Sequence, residues 1–161
     1  TMFGVVAEME DDSLLLLDEP ELSLHPRWQY EFLGLLSHVL EPFTGCHIII
    51  ATHSPLIAQR AQQLGHGVVS LRQGGLVAHS EGEVQSVEGL LTDVFNTPVH
   101  NSQYLADRLF GMVAQGETGS SSDRATAIRE LDALNRIYEQ AVPLDEKAMK
   151  MIEQARGLLE A

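Results

Sequence analysis

Apolar positions fall into short runs near the start of the chain and into helical stripes further along it. Leucines at 14–17 and isoleucines at 48–50 predict two strands buried on both faces, as in a parallel sheet. Between them, apolar residues recur at helical spacing over 27–40, with Pro26 at the helix start and Ser23 as a candidate cap. Strand, helix and strand in this order predict a βαβ unit.

The pattern changes after the second strand. A short helix is predicted over 55–64, and the Gly-Gly pair at 74–75 predicts a hairpin that caps the edge of the sheet. Beyond residue 86 the stripes predict helices, the last two joined as a helical hairpin. A further helix is predicted over 2–9, and the Gly/Ser-rich residues 116–122 are predicted to form a flexible loop.

Two adjacent acids end the first strand. Carboxylates are rarely buried unpaired, so Asp18 and Glu19 are expected at the carboxyl end of the strand, where open α/β sheets bind ligands. Mg²⁺ takes one or two carboxylates plus phosphate oxygens, which makes Asp18 a candidate metal ligand and Glu19 a candidate general base. His53 directly follows the second strand and is a candidate γ-phosphate contact. From the residues alone, an ordinary acidic turn and a satisfied histidine remain open.

Three segments together resemble a known family. LLLLDEPE at 14–21, ELSLHP at 21–26 and IIIATHSP at 48–55 resemble the Walker B strand, D-loop and switch-histidine segment of ABC-type ATPase heads. The resemblance is to the branch found in SMC-like, RecF-like and OLD-like proteins and in phage-defence ATPases. It covers about residues 1–80 and implies an α/β P-loop NTPase fold of the ABC-ATPase type. The chain would be its C-terminal lobe, with parallel βαβ strands, an edge hairpin and a helical extension over 81–161.

The resemblance also implies roles for particular residues. Glu19 and His53 would be catalytic, as the general base and the γ-phosphate sensor. Asp18 would hold the metal, and Asp18, Glu19, Ser23 and His53 would contact the nucleotide. Ser23 belongs to the D-loop, which crosses to a second head in a dimer. Glu21 is given no chemical role.

ATP and Mg²⁺ are the implied cofactors, and the implied assembly is a homodimer or higher homo-oligomer formed through the ATP site. The short helical tail, without a Toprim nuclease domain, resembles the stand-alone ATPases of anti-phage systems such as Septu and retron-associated ATPases. Those act with an HNH-type nuclease partner. Two alternatives remain: a RecF-like or SMC-like ATPase of DNA repair or chromosome maintenance, and a non-hydrolysing ATP-dependent assembly module.

The amino-acid composition limits the functions that the chain could have. The 161 residues carry a net charge of −13 with only ten Lys and Arg, so contact with DNA or RNA is expected only through a partner or a missing region. A single cysteine, Cys46, excludes an intramolecular disulfide and a Cys-based zinc site. With no signal peptide and no long apolar run, we expect a cytoplasmic protein without a membrane span.

A nucleotide-binding head also needs a loop that cradles phosphates. No G-x-x-x-x-G-K-[ST] motif occurs in the sequence, and the first residue is Thr1 rather than a start methionine. We therefore expect the chain to be the C-terminal half of a longer protein, whose upstream part supplies the Walker A loop and the signature segment.

Overall fold

The structure is a computed structural model that describes residues 9–72, 75–78 and 84–160, with only the backbone described for 72 and 75–78. Two compact units divide the chain, Thr1–Val84 and Gln85–Ala161. The helix predicted over 2–9 lies outside the described residues, except for its last position.

Six elements form the first unit. In chain order they are β1 (Leu14–Asp18), α1 (Pro26–Leu40), β2 (His47–Ala51), α2 (Pro55–Gln63), β3 (Val69–Arg72) and β4 (Gly75–Ala78). Strand β1 pairs with β2 in parallel, from Leu14 opposite His47 to Asp18 opposite Ala51. The predicted βαβ unit is confirmed. Because the strands are parallel and in register, both end at the same edge of the sheet.

The N-terminus of α1 is capped by His25. Its Nδ1 accepts a hydrogen bond from the Arg27 amide at 3.3 Å, and Pro26 occupies the first helical position, where a missing N–H costs nothing. The prediction that Ser23 caps this helix is wrong. A capping residue directly precedes its helix, whereas Ser23 lies three residues before Pro26 in a turn with φ of 70°.

The β1–β2 sheet is covered on one face. Leu15 and Leu17 pack with the helices, whereas Leu14 and Leu16 are 60% and 64% exposed. The core beneath the sheet is formed by residues of α1 and α2: Phe32, Leu33, Leu36, Leu40 and Ile57. The prediction of strands buried on both faces is therefore wrong for the described residues, because their helices cover only one side and successive side chains alternate between faces.

The predicted hairpin is present but does not extend the first sheet. β3 pairs with β4, antiparallel, with Val69 opposite Ala78 and Arg72 opposite Gly75. In the part of the chain that the structure describes, β1–β2 and β3–β4 are separate two-stranded sheets. The edge position predicted for the hairpin is thus wrong there, because β3 and β4 form their ladder hydrogen bonds with each other and not with β1 or β2.

Within the described residues of the second unit, all of the regular secondary structure is helical. The helices are α3 (Val87–Asp93), α4 (Gln103–Thr118), α5 (Ser121–Tyr138) and α6 (Glu146–Glu160). The last three enclose one core whose fully buried members include Leu131, Tyr138, Ile152 and Leu159. Among the described residues, no helix combines the length and the apolar character needed to cross a bilayer.

The flexible loop predicted over 116–122 is wrong. Helix α4 continues to Thr118 and α5 begins at Ser121, so the connection is only two residues long. Ser120 and Asp123 form a reciprocal capping box that starts α5 sharply. Gly116 is buried against α6, so its lack of a side chain serves close packing rather than flexibility.

Candidate functional site

The carboxyl edge of the β1–β2 sheet gathers three of the predicted site residues. Asp18 is the last residue of β1, Glu19 follows it, and His53 lies two residues after the end of β2. Glu19 Oε1 is 3.1 Å from His53 Nε2. The histidine side chain is 86% exposed and that of Glu19 is 26% exposed. A carboxylate and an imidazole are thus in contact at a surface that a ligand can reach.

Glu19 has an unusual backbone conformation. Its φ is 45°, in the left-handed region that non-glycine residues seldom occupy and that costs free energy. Hydrogen bonds on both sides hold it: the Glu19 amide donates to the Ala51 carbonyl at 2.9 Å, and the Glu19 carbonyl accepts from the Leu22 amide at 3.1 Å. The fold therefore fixes the direction in which this side chain leaves the strand.

The pKa of Glu19 is raised. Partial burial is the largest cause, followed by hydrogen bonding and charge from the neighbouring Glu21, with a smaller contribution from Asp18. His53 acts in the opposite direction. A carboxylate with a raised pKa is a stronger base, so this environment suits a group that accepts a proton from water.

Glu21 is the site residue that sequence reasoning missed. Its carboxylate is buried, and Oε1 accepts hydrogen bonds from Thr52 Oγ1 at 2.6 Å and from the His53 amide at 2.7 Å. Burial raises its pKa, but these hydrogen bonds and one from its own backbone outweigh burial, so the pKa is lowered. Two features of the sequence could have indicated a role for Glu21: its place two positions after Glu19, and the hydroxyl of Thr52 directly before His53.

Ser23 has a different setting from the other predicted residues. It is exposed in the turn after β1, and its hydroxyl forms no hydrogen bond with Asp18, Glu19 or His53 in the described part of the structure. The structure therefore brings Glu19 and His53 into contact, leaves Asp18 exposed beside them, and gives Ser23 no bond to this group.

The acids at this edge fit one way of holding Mg²⁺. Asp18 is an exposed carboxylate, and the described residues include no cluster of three or more side chains able to ligate a metal. Mg²⁺ in nucleotide sites is held by one or two carboxylates and completes its shell with water and phosphate oxygens. Asp18, alone or with Glu19, fits that arrangement, whereas an all-protein metal cage does not.

Comparison with known proteins gives a family match in the first unit and two relatives that match about a third of the chain. Residues 5–58 match the family described as "AAA domain, putative AbiEii toxin, Type IV TA system". The chain is 38% identical over 58 residues to the Septu protein PtuA of Bacillus thuringiensis, which covers 36% of this chain and 14% of the relative. It is 44% identical over 59 residues to protein ea59 of Escherichia phage lambda, 37% of this chain and 11% of that relative.

These matches bear on the family resemblance found in the sequence. The matches to an AAA domain and to a Septu protein confirm the resemblance to ATPases of anti-phage systems at the level of the AAA family, over part of the chain. Residues 5–58, which match the family, contain both strands and the Glu19–His53 contact. The chain spans only about a seventh and a ninth of the length of these two relatives. What the relatives do as whole proteins is therefore not carried over to this chain by the match.

Proposed function

We propose that this chain supplies the hydrolytic half of an ATP site of the ABC type, in which Glu19 activates water and His53 contacts the γ-phosphate. The observation that carries the proposal is the 3.1 Å contact between Glu19 Oε1 and His53 Nε2 at the carboxyl edge of a parallel strand pair. Open α/β sheets bind ligands at this edge. The AAA-domain match over 5–58 supports the same assignment.

Each residue would have one task. Glu19, with its raised pKa and fixed backbone, would take a proton from the attacking water. His53, exposed and 3.1 Å from Glu19, would donate to a γ-phosphate oxygen and respond to its loss. Asp18 would hold Mg²⁺, which neutralises phosphate charge when bound. Ser23 would contact nucleotide held by a second head, so the proposed assembly is a homodimer or higher homo-oligomer.

The proposal requires a phosphate-binding loop from outside this sequence, because no Walker A motif occurs in it. The test is phosphate release from ATP, with and without Mg²⁺, by the protein combined with the segment that supplies this loop. Glu19→Gln should lower kcat by about 10²- to 10⁴-fold, the usual contribution of a general base, while ATP binding is retained. Glu41→Gln makes the same change at an exposed acid outside the site and should leave kcat unchanged.

Two results would contradict parts of this proposal. Full turnover by Glu19→Gln would remove Glu19 as the base. ATP binding without turnover in the unsubstituted protein would instead favour the non-hydrolysing assembly module.

For the biological setting, we infer that the chain belongs to the ATPase subunit of an anti-phage defence system acting with a nuclease partner of the HNH type. The support is the match to a family described as a putative toxin and to a Septu protein. Phage plating efficiency should rise in cells that carry Glu19→Gln in place of the natural residue. Sensitivity to DNA damage with unchanged plating would favour the RecF-like or SMC-like repair alternative.

A further inference from the structure

A buried carboxylate joins the two segments that carry the proposed catalytic residues. Glu21 lies two residues after Glu19, and only 9% of it is exposed. Its Oε1 accepts from the Thr52 hydroxyl and the His53 amide, residues 31 and 32 positions further along the chain. The turn after β1 is thus bonded directly to the backbone that carries His53.

Burial of the Glu21 carboxylate is unfavourable to the free energy of folding. No Lys or Arg pairs with Glu21 within the described ranges, and its Oε2 is buried without a hydrogen-bond partner. A buried polar atom without a partner usually has a functional or structural reason.

Further hydrogen bonds extend the connection on both sides of His53. Thr52 Oγ1 also accepts from the Ser54 amide at 3.0 Å, and Ser54 Oγ donates to Gln29 Oε1 at 2.8 Å. Gln29 Nε2 in turn donates to the Leu24 carbonyl at 3.0 Å, back in the turn after β1. The network closes a circuit around the His53 backbone, with Glu21 as its only charged member.

The exposed His53 side chain needs this support. Because 86% of it is accessible to solvent, packing does little to set its direction, and its backbone must do so instead. A hydrogen bond from an amide to an ionised carboxylate is stronger than one to a neutral acceptor. Glu21 therefore holds the backbone from which the exposed imidazole reaches Glu19.

We propose that Glu21 is a positioning residue, which holds the His53 backbone so that the imidazole meets Glu19 and the γ-phosphate. This inference rests on the proposed ATPase function and adds a residue to it. Through Glu21, the turn after β1 is hydrogen-bonded directly to the His53 backbone, so that displacement of either segment would also displace the other.

A double-mutant cycle tests the inference by its effect on turnover. Glu21→Ala should lower kcat by about ten- to a hundredfold with little change in KM for ATP, as expected when a catalytic group is misplaced. Glu21→Gln keeps an oxygen acceptor and should restore most of the rate. In a His53→Ala background, Glu21→Ala should change kcat by less than about twofold, since its effect acts through His53. Glu41→Ala is the matched control.

Amide hydrogen exchange gives a readout that does not depend on ATP. Exchange at the His53 amide should be faster in Glu21→Ala than in the unsubstituted protein, and Glu21→Gln should lie between them. Equal exchange in all three would overturn the inference, as would equal kcat losses from Glu21→Ala with and without His53. Absence of turnover in the unsubstituted protein would overturn the proposed ATPase function, while the exchange result would still decide whether Glu21 holds His53.

Discussion

Single carboxylates organise the backbone at several points in this chain. Glu21 does so at the candidate site, and Asp145 does so in the helical unit. Asp145 is 8% exposed, directly precedes α6, and accepts from the Ala148 amide at 3.0 Å and the Asn101 amide at 3.3 Å. These bonds, the one to Ala148 above all, lower its pKa, and His100 at 3.4 Å contributes in the same direction.

The lowered pKa of Asp145 predicts loss of stability in acid. The ionised form is favoured in the folded state, so its contribution is present above the unfolded pKa of 3.8 and is lost as pH falls through the lower folded value. Asp145→Ala should reduce the free energy of unfolding at pH 7 by about 1–2 kcal/mol, as for other helix caps. Urea unfolding at pH 7 and pH 3 measures both effects. An Asp145→Asn variant that loses as much stability between these pH values as the parent would contradict the assignment.

At the scale of elements, one helix contains two glycines with different surroundings. A methyl group added at Gly116 of α4 would lie 2.2 Å from Leu159 Cδ2, inside the core between α4 and α6. At Gly111 of the same helix, it would meet nothing within 4 Å. Helix propensity alone would favour alanine at both positions by about 1 kcal/mol.

Packing should reverse that preference at one glycine only. We expect Gly111→Ala to raise the free energy of unfolding by about 0.5–1 kcal/mol, because alanine is the better helix former. Gly116→Ala should lower it by about 1–3 kcal/mol, because buried Leu159 must shift in a filled core. Thermal or urea unfolding of the two variants is the measurement. Equal stabilisation by both would show that α6 can adjust without cost.

At the scale of the molecule, the two units differ in how completely they bury their apolar surface. Among its described residues, the helical unit has a core of eleven buried side chains shared by three helices. In the first unit, one face of the sheet keeps Leu14, Leu16 and Ile49 at least 60% exposed. Buried apolar area is the main favourable term in folding, so the two units should differ in independent stability.

Expression of each unit alone tests this difference. Residues 85–161 should give a helical circular dichroism spectrum and a cooperative unfolding transition, because their core is complete without the first unit. Residues 1–84 alone should unfold at lower denaturant concentration or aggregate through the exposed sheet face. A non-cooperative helical unit would mean that its core depends on contacts from outside residues 85–161.

Local patterns predicted the elements that depend on neighbours in sequence. The leucine and isoleucine runs, the helical stripe over 27–40 and Pro26 at a helix start were sufficient for the βαβ unit. The grouping of Glu19 and His53 at the carboxyl edge follows from the same parallel arrangement, because they lie one and two residues after the ends of β1 and β2. Two predictions were wrong, that both strand faces are buried and that the hairpin lies at the edge of the sheet. Each depends on which distant element covers a strand or pairs with it.

The sequence by itself determined the βαβ unit of β1, α1 and β2 and which acids and histidine follow its strands, because these depend on spacing and on local backbone chemistry. Only the tertiary structure decided that Glu21 reaches across 31 and 32 residues to Thr52 and His53. It also decided that Gly116 lies within a packed helix rather than in a loop. Both are contacts between segments distant in sequence, and such contacts leave no periodic signal in the order of residues.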